Sequence, residues 1–113
     1  MNQPPDSPNP QGGGTSSFAG PYLTKAMQDY KNQRYEDCLD NLKWVLFHDP
    51  TNYMGHYYQG CVFIKQRRLK EAEMELKLCV SMNQEKIEAY LKIVTLYDLL
   101  KDGFRVTQYL NRL

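Results

Sequence analysis

The sequence LKEAEMELKLCVSMN occupies residues 69–83, and its pattern recurs along the chain. Its apolar residues follow one another at steps of three, four, three and one, which is typical of one face of an amphipathic helix. These residues are Leu69, Ala72, Leu76, Cys79 and Val80. The charged residues lie mostly off that face: Glu71, Glu73, Glu75 and Lys77. The stretch therefore predicts a helix that buries one side.

The same apolar stripe occurs 34 residues earlier and again 34 residues later. The earlier copy consists of Tyr35, Cys38, Leu42, Val45 and Leu46. The later copy consists of Val106, Leu110 and Leu113. A fixed period of this length is typical of helical repeat arrays, in which each unit buries its apolar face against its neighbours.

Composition restricts the class of protein further. The 113 residues carry 14 basic and 13 acidic side chains, and a net charge of +1 provides no broad field for nucleic acid. No apolar run approaches the ~18 residues of a membrane span. Three cysteines without a CxxC pair favour a reducing compartment over a disulfide framework. We expect a cytoplasmic protein, with an organellar site inside a large assembly as the alternative.

Residues 1–20 are rich in Pro, Gly, Ser and Asn, and Asp6 is their one charged side chain. Such a segment buries too little apolar surface to offset the entropy of ordering, so we expect a flexible, disordered tail. Its PPDSPNP run is expected to sample polyproline II. A role as a proline-motif ligand is the alternative.

Six helices are expected between the polar turns, and the links between them are short. The predicted ranges are 22–32, 35–48, 53–66, 69–83, 86–100 and 104–113. Asn52 is expected to cap the third helix. Short links make consecutive helices antiparallel neighbours, and the small residues Ala26 and Gly60 are spaced to let the helices of a hairpin approach closely.

The repeated residues resemble the tetratricopeptide repeat. The unit at 19–52 matches that repeat at Tyr22, Ala26, Tyr35, Leu42, Leu46 and Pro50. The unit at 53–86 matches it at Gly60, Phe63, Ala72, Leu76 and Val80. The unit at 87–113, which is truncated, matches it at Tyr90, Tyr97 and Leu110. The resemblance implies an all-α solenoid over residues 21–113, in which three antiparallel helix hairpins stack into a right-handed superhelix.

The resemblance also implies a concave groove lined by the first helix of each hairpin. The groove residues would include Leu23, Met27, Met54, Tyr57, Tyr58, Cys61, Ile64, Lys65, Leu91 and Lys92. Where chaperone-binding members hold a terminal carboxylate, only Lys92 is cationic, so we reject a carboxylate clamp. An aromatic, apolar groove favours an apolar helix or extended peptide. The alternative is that Met54, Tyr57 and Tyr58 pack against the first hairpin or the tail.

The last stripe, formed by Val106, Leu110 and Leu113, has no following helix to cover it in this sequence. We expect it to bind a partner or to self-associate. The sequence carries no phosphate-binding loop, no Ser-His-Asp arrangement and no metal-ligand spacing, so we expect no catalysis and no cofactor. The predicted function is protein–protein interaction, as a scaffold or accessory subunit of a larger complex. The alternative is a free adaptor or co-chaperone-like protein.

Overall fold

The computed structural model describes residues 16–83 and 85–112, and these residues form six α-helices and no strand. The helices are α1 (Ser16–Lys31), α2 (Tyr35–His48), α3 (Tyr53–Lys65), α4 (Leu69–Met82), α5 (Ile87–Leu99) and α6 (Gly103–Leu110). The predicted all-α class is confirmed. The chain divides into two compact units, Met1–Gly55 and His56–Leu113.

Helix α1 begins six residues earlier than the sequence predicts, and it includes Pro21. Proline has no backbone N–H, so the helix loses one hydrogen bond in its second turn. The side chain of Ala19 is buried, and this tertiary packing supports a turn that propensity alone disfavours. Residues 1–15, which make up most of the predicted tail, lie outside the described residues.

The turn inside each helical hairpin has the same backbone geometry. One residue in each turn adopts a left-handed conformation, with φ of 63° at Gln33, 61° at Arg67 and 60° at Lys101. The next N–H donates to the carbonyl five residues earlier: Arg34 to Asp29, Arg68 to Phe63 and Asp102 to Tyr97. This is the Schellman arrangement that closes a helix C-terminus. The 34-residue period of the sequence is therefore also a period of the backbone.

The stripe that predicts α4 is buried in the second unit. Leu76 and Cys79 have no exposed surface, and neither has Leu42 at the position of Leu76 on α2. Helix α1 packs on α2 in the first unit, and α5 packs on both α4 and α6 in the second. The repeated stripe therefore supplies core residues in both units, as the periodicity predicts.

Gly60 marks a close approach between α3 and α4. A Cβ atom at this position would lie 2.8 Å from Cδ2 and Cγ of Leu76. Real Cβ atoms do not come that near other heavy atoms, so only glycine fits without a shift of the leucine. The structure thus confirms the prediction that Gly60 lets two helices of one hairpin come together.

Asp29 is a charged residue with no exposed surface in the first unit. Its Oδ1 accepts from Nε and Nη2 of Arg34 at 3.3 and 3.1 Å, and its Oδ2 accepts from Nδ2 of Asn41 at 2.9 Å. Nζ of Lys25 lies 3.6 Å from Oδ1. Buried carboxylates persist when they are paired and hydrogen-bonded in this way. The network ties α1 to the turn and to α2.

Candidate protein-binding surface

Two consecutive tyrosines on α3 begin the candidate surface. The rings of Tyr57 and Tyr58 lie edge to face with centroids 5.5 Å apart, and both side chains are half-buried. Burial raises the pKa of the Tyr57 phenol well above its ordinary value, and the nearby Cys61 thiol and Glu88 carboxylate add to the rise. The phenol is also hydrogen-bonded to the Cys61 side chain on the same helix.

Two of the predicted groove residues lie inside the protein. Cys61 is 2% exposed and Ile64 is also buried, so neither presents its side chain to a partner. The cause is the sequence CVFI at residues 61–64, which makes this part of α3 apolar around its whole circumference. A helix that is apolar all round becomes buried all round. Lys65, the next residue, is exposed at the helix end.

Helix α5 contributes the other predicted residues of the second unit. Glu88, Leu91 and Lys92 are three and four residues apart, so their side chains share one face of the helix. Leu91 is exposed and Lys92 is half-buried. The Glu88 carboxylate on this face contributes to the raised pKa of the Tyr57 phenol. The second unit thus carries Tyr57 and Tyr58 on α3 and Leu91 and Lys92 on α5.

The first unit carries the remaining predicted groove residues. Leu23 and Met27 are four residues apart on α1, so they share a face, with Leu23 half-buried and Met27 exposed. Met54 is half-buried at the start of α3. Asn52 caps this helix as predicted, because its Oδ1 accepts the N–H of Gly55 at 2.7 Å.

Helix α6 packs through one side only. The Tyr109 ring contacts the rings of Tyr90 and Tyr97 at centroid distances of 6.2 and 5.6 Å. No residue of α6 is buried, and Phe104 is 74% and Leu110 47% exposed. Val106 is half-buried, and Leu113 lies outside the described residues. Phe104 and Leu110 are therefore exposed apolar side chains of α6, although they lie six residues apart and about 120° from each other around the helix axis.

Sequence reasoning missed the hydrogen bonds that α4 makes to both of its neighbours in the second unit. Glu73 accepts from the phenol of Tyr97 on α5, and this bond, reinforced by Lys77, lowers the pKa of Glu73 against the opposing effect of burial. Oε1 of Glu75 lies 2.7 Å from Nδ1 of His56 on α3. Both glutamates were predicted to lie mostly off the stripe. Glu73 and Glu75 are two residues apart in the helix, so they lie on opposite sides of the buried stripe. This spacing is the sequence feature that could have predicted the two contacts.

The three cysteines are buried, and none of them belongs to a disulfide. Burial raises the pKa of the Cys79 thiol to about 12, with a smaller contribution from Glu75, so this thiol stays protonated at neutral pH. Among residues 16–83 and 85–112, no group of three or more His, Cys, Asp or Glu side chains is placed to hold a metal ion. No helix within those residues is both long enough and apolar enough to cross a bilayer.

Comparison with protein-family models and with curated proteins finds no match to this chain. Membership of the tetratricopeptide family therefore remains a prediction from the repeated residues.

Proposed function

We propose that this chain is a non-catalytic protein–protein interaction module, a scaffold or accessory subunit that docks in a larger assembly through a tetratricopeptide-like array. The exposed apolar side chains of α6 are the observation that supports this function. Phe104 and Leu110 face water on a helix that buries no residue of its own. A contiguous exposed apolar patch usually marks a site of interaction, and Phe104 and Leu110 are two side chains that such a patch on α6 would contain.

The partner at α6 would be another apolar helix or an extended apolar segment. Such a partner removes the Phe104 and Leu110 side chains from water, which contributes about 25 cal/mol for each Å² of apolar surface buried. Helices commonly dock in this way by placing apolar side chains against a neighbouring apolar face. A second copy of the chain would satisfy the same surface by self-association.

The half-exposed tyrosines of α3 and the exposed Leu91 of α5 support the alternative function, a free adaptor that binds an apolar peptide or helix. Tyr57 and Tyr58 both lie on α3, and Leu91 adds exposed apolar area on α5. Tyrosine combines a large contact area with a polar end, which is why it is common among residues that dominate binding energy. Lys92 adds one positive charge to the same face of α5.

Affinity purification under mild conditions, followed by identification of the bound chains, tests both functions. Leu110→Glu places a charge in the exposed α6 surface, and we expect it to release a docked assembly. Tyr57→Ala together with Tyr58→Ala should instead release a peptide ligand, with a loss of ~2 kcal/mol or more for each tyrosine that dominates binding. The contrast between the variants separates the subunit from the adaptor.

Two matched variants control for charge and for folding. Gln108→Glu adds the same charge at an exposed polar position of α6, and Lys70→Ala removes an exposed side chain from α4, outside the predicted groove. Both should retain all partners. If Leu110→Glu and the double tyrosine variant also retain every identified partner, the contact lies on another surface and this assignment is wrong.

A further inference from the structure

The outer side of α2 carries an aromatic surface that the proposed function does not use. Asp40, Lys43, Trp44 and Phe47 line a recess of about 560 Å³, and their spacing of three, one and three residues places them on one helix face. We call this surface the Trp44 platform. Phe47 is 74% exposed, whereas Trp44 is half-buried. An exposed phenylalanine beside a tryptophan is a large apolar area for a surface helix to leave in water.

Stacked aromatic rings hold the Trp44 indole of the platform in place. Tyr22 of α1 stacks on Trp44 at 5.9 Å with an interplanar angle of 21°, and His48 lies nearly parallel to Trp44 at 6.1 Å. Phe47 stands edge-on to Trp44 at 6.1 Å and 81°. Tyr22 is buried by this packing. The orientation of the indole is therefore fixed, and the Phe47 ring lies edge-on beside it.

We propose that the Trp44 platform binds residues 4–10 of the same chain, PPDSPNP. Proline-rich segments in polyproline II conformation dock on aromatic-lined grooves, because they are already extended and lose little entropy on binding. Four of these seven residues are proline, and Asp6 is their one charged residue. Lys43 provides the opposite charge at the edge of the recess. The prolines of the segment thus have an apolar counterpart on the platform, whereas Asp6 meets one opposite charge, Lys43, and one like charge, Asp40.

The length of the connecting chain permits this contact. Ser16 precedes Tyr22 by six residues of helix, a rise of about 9 Å at 1.5 Å per residue. The six residues from Pro10 to Ser16 span up to about 20 Å when extended. Gly12, Gly13 and Gly14 in this connection let the chain turn back without steric cost. The segment can therefore return from the start of α1 to the α2 residues that contact Tyr22.

Trp44 is the single tryptophan of the chain, so its fluorescence reports on the platform alone. The first measurement is acrylamide quenching of full-length protein, with Pro4, Pro5, Pro8 and Pro10 all replaced by alanine in the variant. In wild type we expect the bound segment to protect Trp44 from acrylamide. The four-proline variant should lose this protection. A variant with Gln3→Ala, Asn9→Ala and Gln11→Ala changes the same segment without touching a proline, and it should keep the protection.

A second set of variants tests the platform itself. With Phe47→Ser, we expect protection to be lost, and the four-proline substitution should then cause no further change, because mutations of contacting groups are not additive. Phe104→Ser on α6 replaces an equally exposed phenylalanine and should leave the quenching of Trp44 as in wild type. Helicity measured by circular dichroism verifies that each variant is folded.

The dependence of Trp44 protection on peptide and protein concentration identifies what occupies the Trp44 platform. A segment tethered by a short linker acts at an effective concentration of about 1 mM, so a free peptide of residues 1–12 should restore protection to the four-proline variant only at millimolar concentration. Protection of wild type should be independent of protein concentration. Protection that rises with protein concentration assigns the platform to a second copy and overturns the proposal. Equal quenching of wild type and the four-proline variant overturns it as well.

Discussion

At the scale of single residues, Gly60 provides the sharpest test of helix packing. The missing side chain is what allows α3 to lie against Leu76, because a Cβ atom would come within 2.8 Å of two leucine carbons. Gly60→Ala should therefore lower the free energy of unfolding by about 1–3 kcal/mol, the usual cost of overpacking a buried contact. Urea denaturation measures this change.

Gly20→Ala is the matched control for Gly60. Nothing lies within 4 Å of a Cβ atom built on Gly20 in α1. Alanine is favoured over glycine inside a helix, but the following Pro21 disfavours the helical conformation of a residue with a Cβ atom, so the free energy of unfolding should stay within about 0.5 kcal/mol of wild type. If both variants lowered the free energy of unfolding by similar amounts, the close contact with Leu76 would not be the reason for glycine at position 60.

Asp29 shows which residue environments the sequence could not predict. The 34-residue period aligns it with Phe63 and Tyr97, so the pattern suggests an apolar position. The structure instead buries a carboxylate and gives it three partners, among them Arg34 and Asn41. Whether a buried charge finds partners depends on how far side chains from the next helix reach. Hydrophobic periodicity contains no information on that reach.

At the scale of helices, the bond between Glu73 and Tyr97 links α4 to α5 and makes their contact depend on pH. The bond lowers the pKa of Glu73, so it stabilises the fold above the ordinary glutamate pKa of about 4.3, and this stability is lost as the pH falls through the lowered value. Tyr97→Phe removes the donor. At pH 7 we expect the free energy of unfolding to fall by about 1.5 kcal/mol. This is the lower end for hydrogen bonds to charged groups, because Glu73 retains contact with water.

The difference in stability between wild type and Tyr97→Phe should be smaller at pH 3 than at pH 7 in urea denaturation. Tyr109→Phe is the control, because it removes a phenol from the neighbouring ring without removing the donor to Glu73. Its effect should be small and the same at both pH values. An equal difference at pH 3 and pH 7 for Tyr97→Phe would mean that the ionised Glu73 carboxylate does not supply the stabilisation.

The left-handed turn residues provide a second prediction at this scale. Gln33 has φ of 63° between α1 and α2, a conformation that disfavours side chains with a Cβ atom. Gln33→Gly should raise the free energy of unfolding by about 1 kcal/mol, the lower end of the cost of a left-handed residue. Gln28→Gly, inside α1, should lower it by about 1 kcal/mol. Chemical denaturation of both variants measures the contrast, and a loss at both positions would contradict the turn geometry.

The sequence predicted the middle helices well and the ends of the array less well. The predicted and observed bounds of α2 are identical, and those of α3, α4 and α5 differ by at most one residue at either end. Polar turns flank each of these helices, and the period reinforces each boundary. The start of α1 was missed because it depends on the burial of Ala19, a tertiary effect that overrides the expected break at Pro21.

At the scale of the whole molecule, the period predicted which residues are equivalent but not how deeply each is buried. It placed Tyr57 and Ile64 on one predicted groove, whereas the structure leaves Tyr57 half-exposed and buries Ile64. The reason is that α3 is apolar on nearly every side between residues 61 and 64. A repeat consensus assigns faces from position alone. Actual exposure also depends on the neighbours that each copy has.

Leu42, Leu76 and Leu110 occupy one position of the repeat in three environments, and alanine at each position tests the whole assignment. Leu42 and Leu76 have no exposed surface. Alanine at either position should therefore lower the free energy of unfolding, measured by urea denaturation, by about 2–5 kcal/mol. Leu110 is 47% exposed on α6, and Leu110→Ala in the isolated chain should lie within about 0.5 kcal/mol of wild type. Leu99→Ala, an exposed leucine on α5, is the matched surface control.

The same three leucines distinguish a surface held for stability from one held for binding. In a complex with the docked partner, Leu110→Ala should weaken association although it leaves the isolated chain intact, because its side chain would be buried only there. Leu99→Ala should change neither property. If Leu110→Ala destabilises the isolated chain as much as Leu76→Ala does, α6 already buries this side chain against its own protein. The exposed apolar side chains of α6 would then not form a docking surface, and the principal support for the proposed function would be lost.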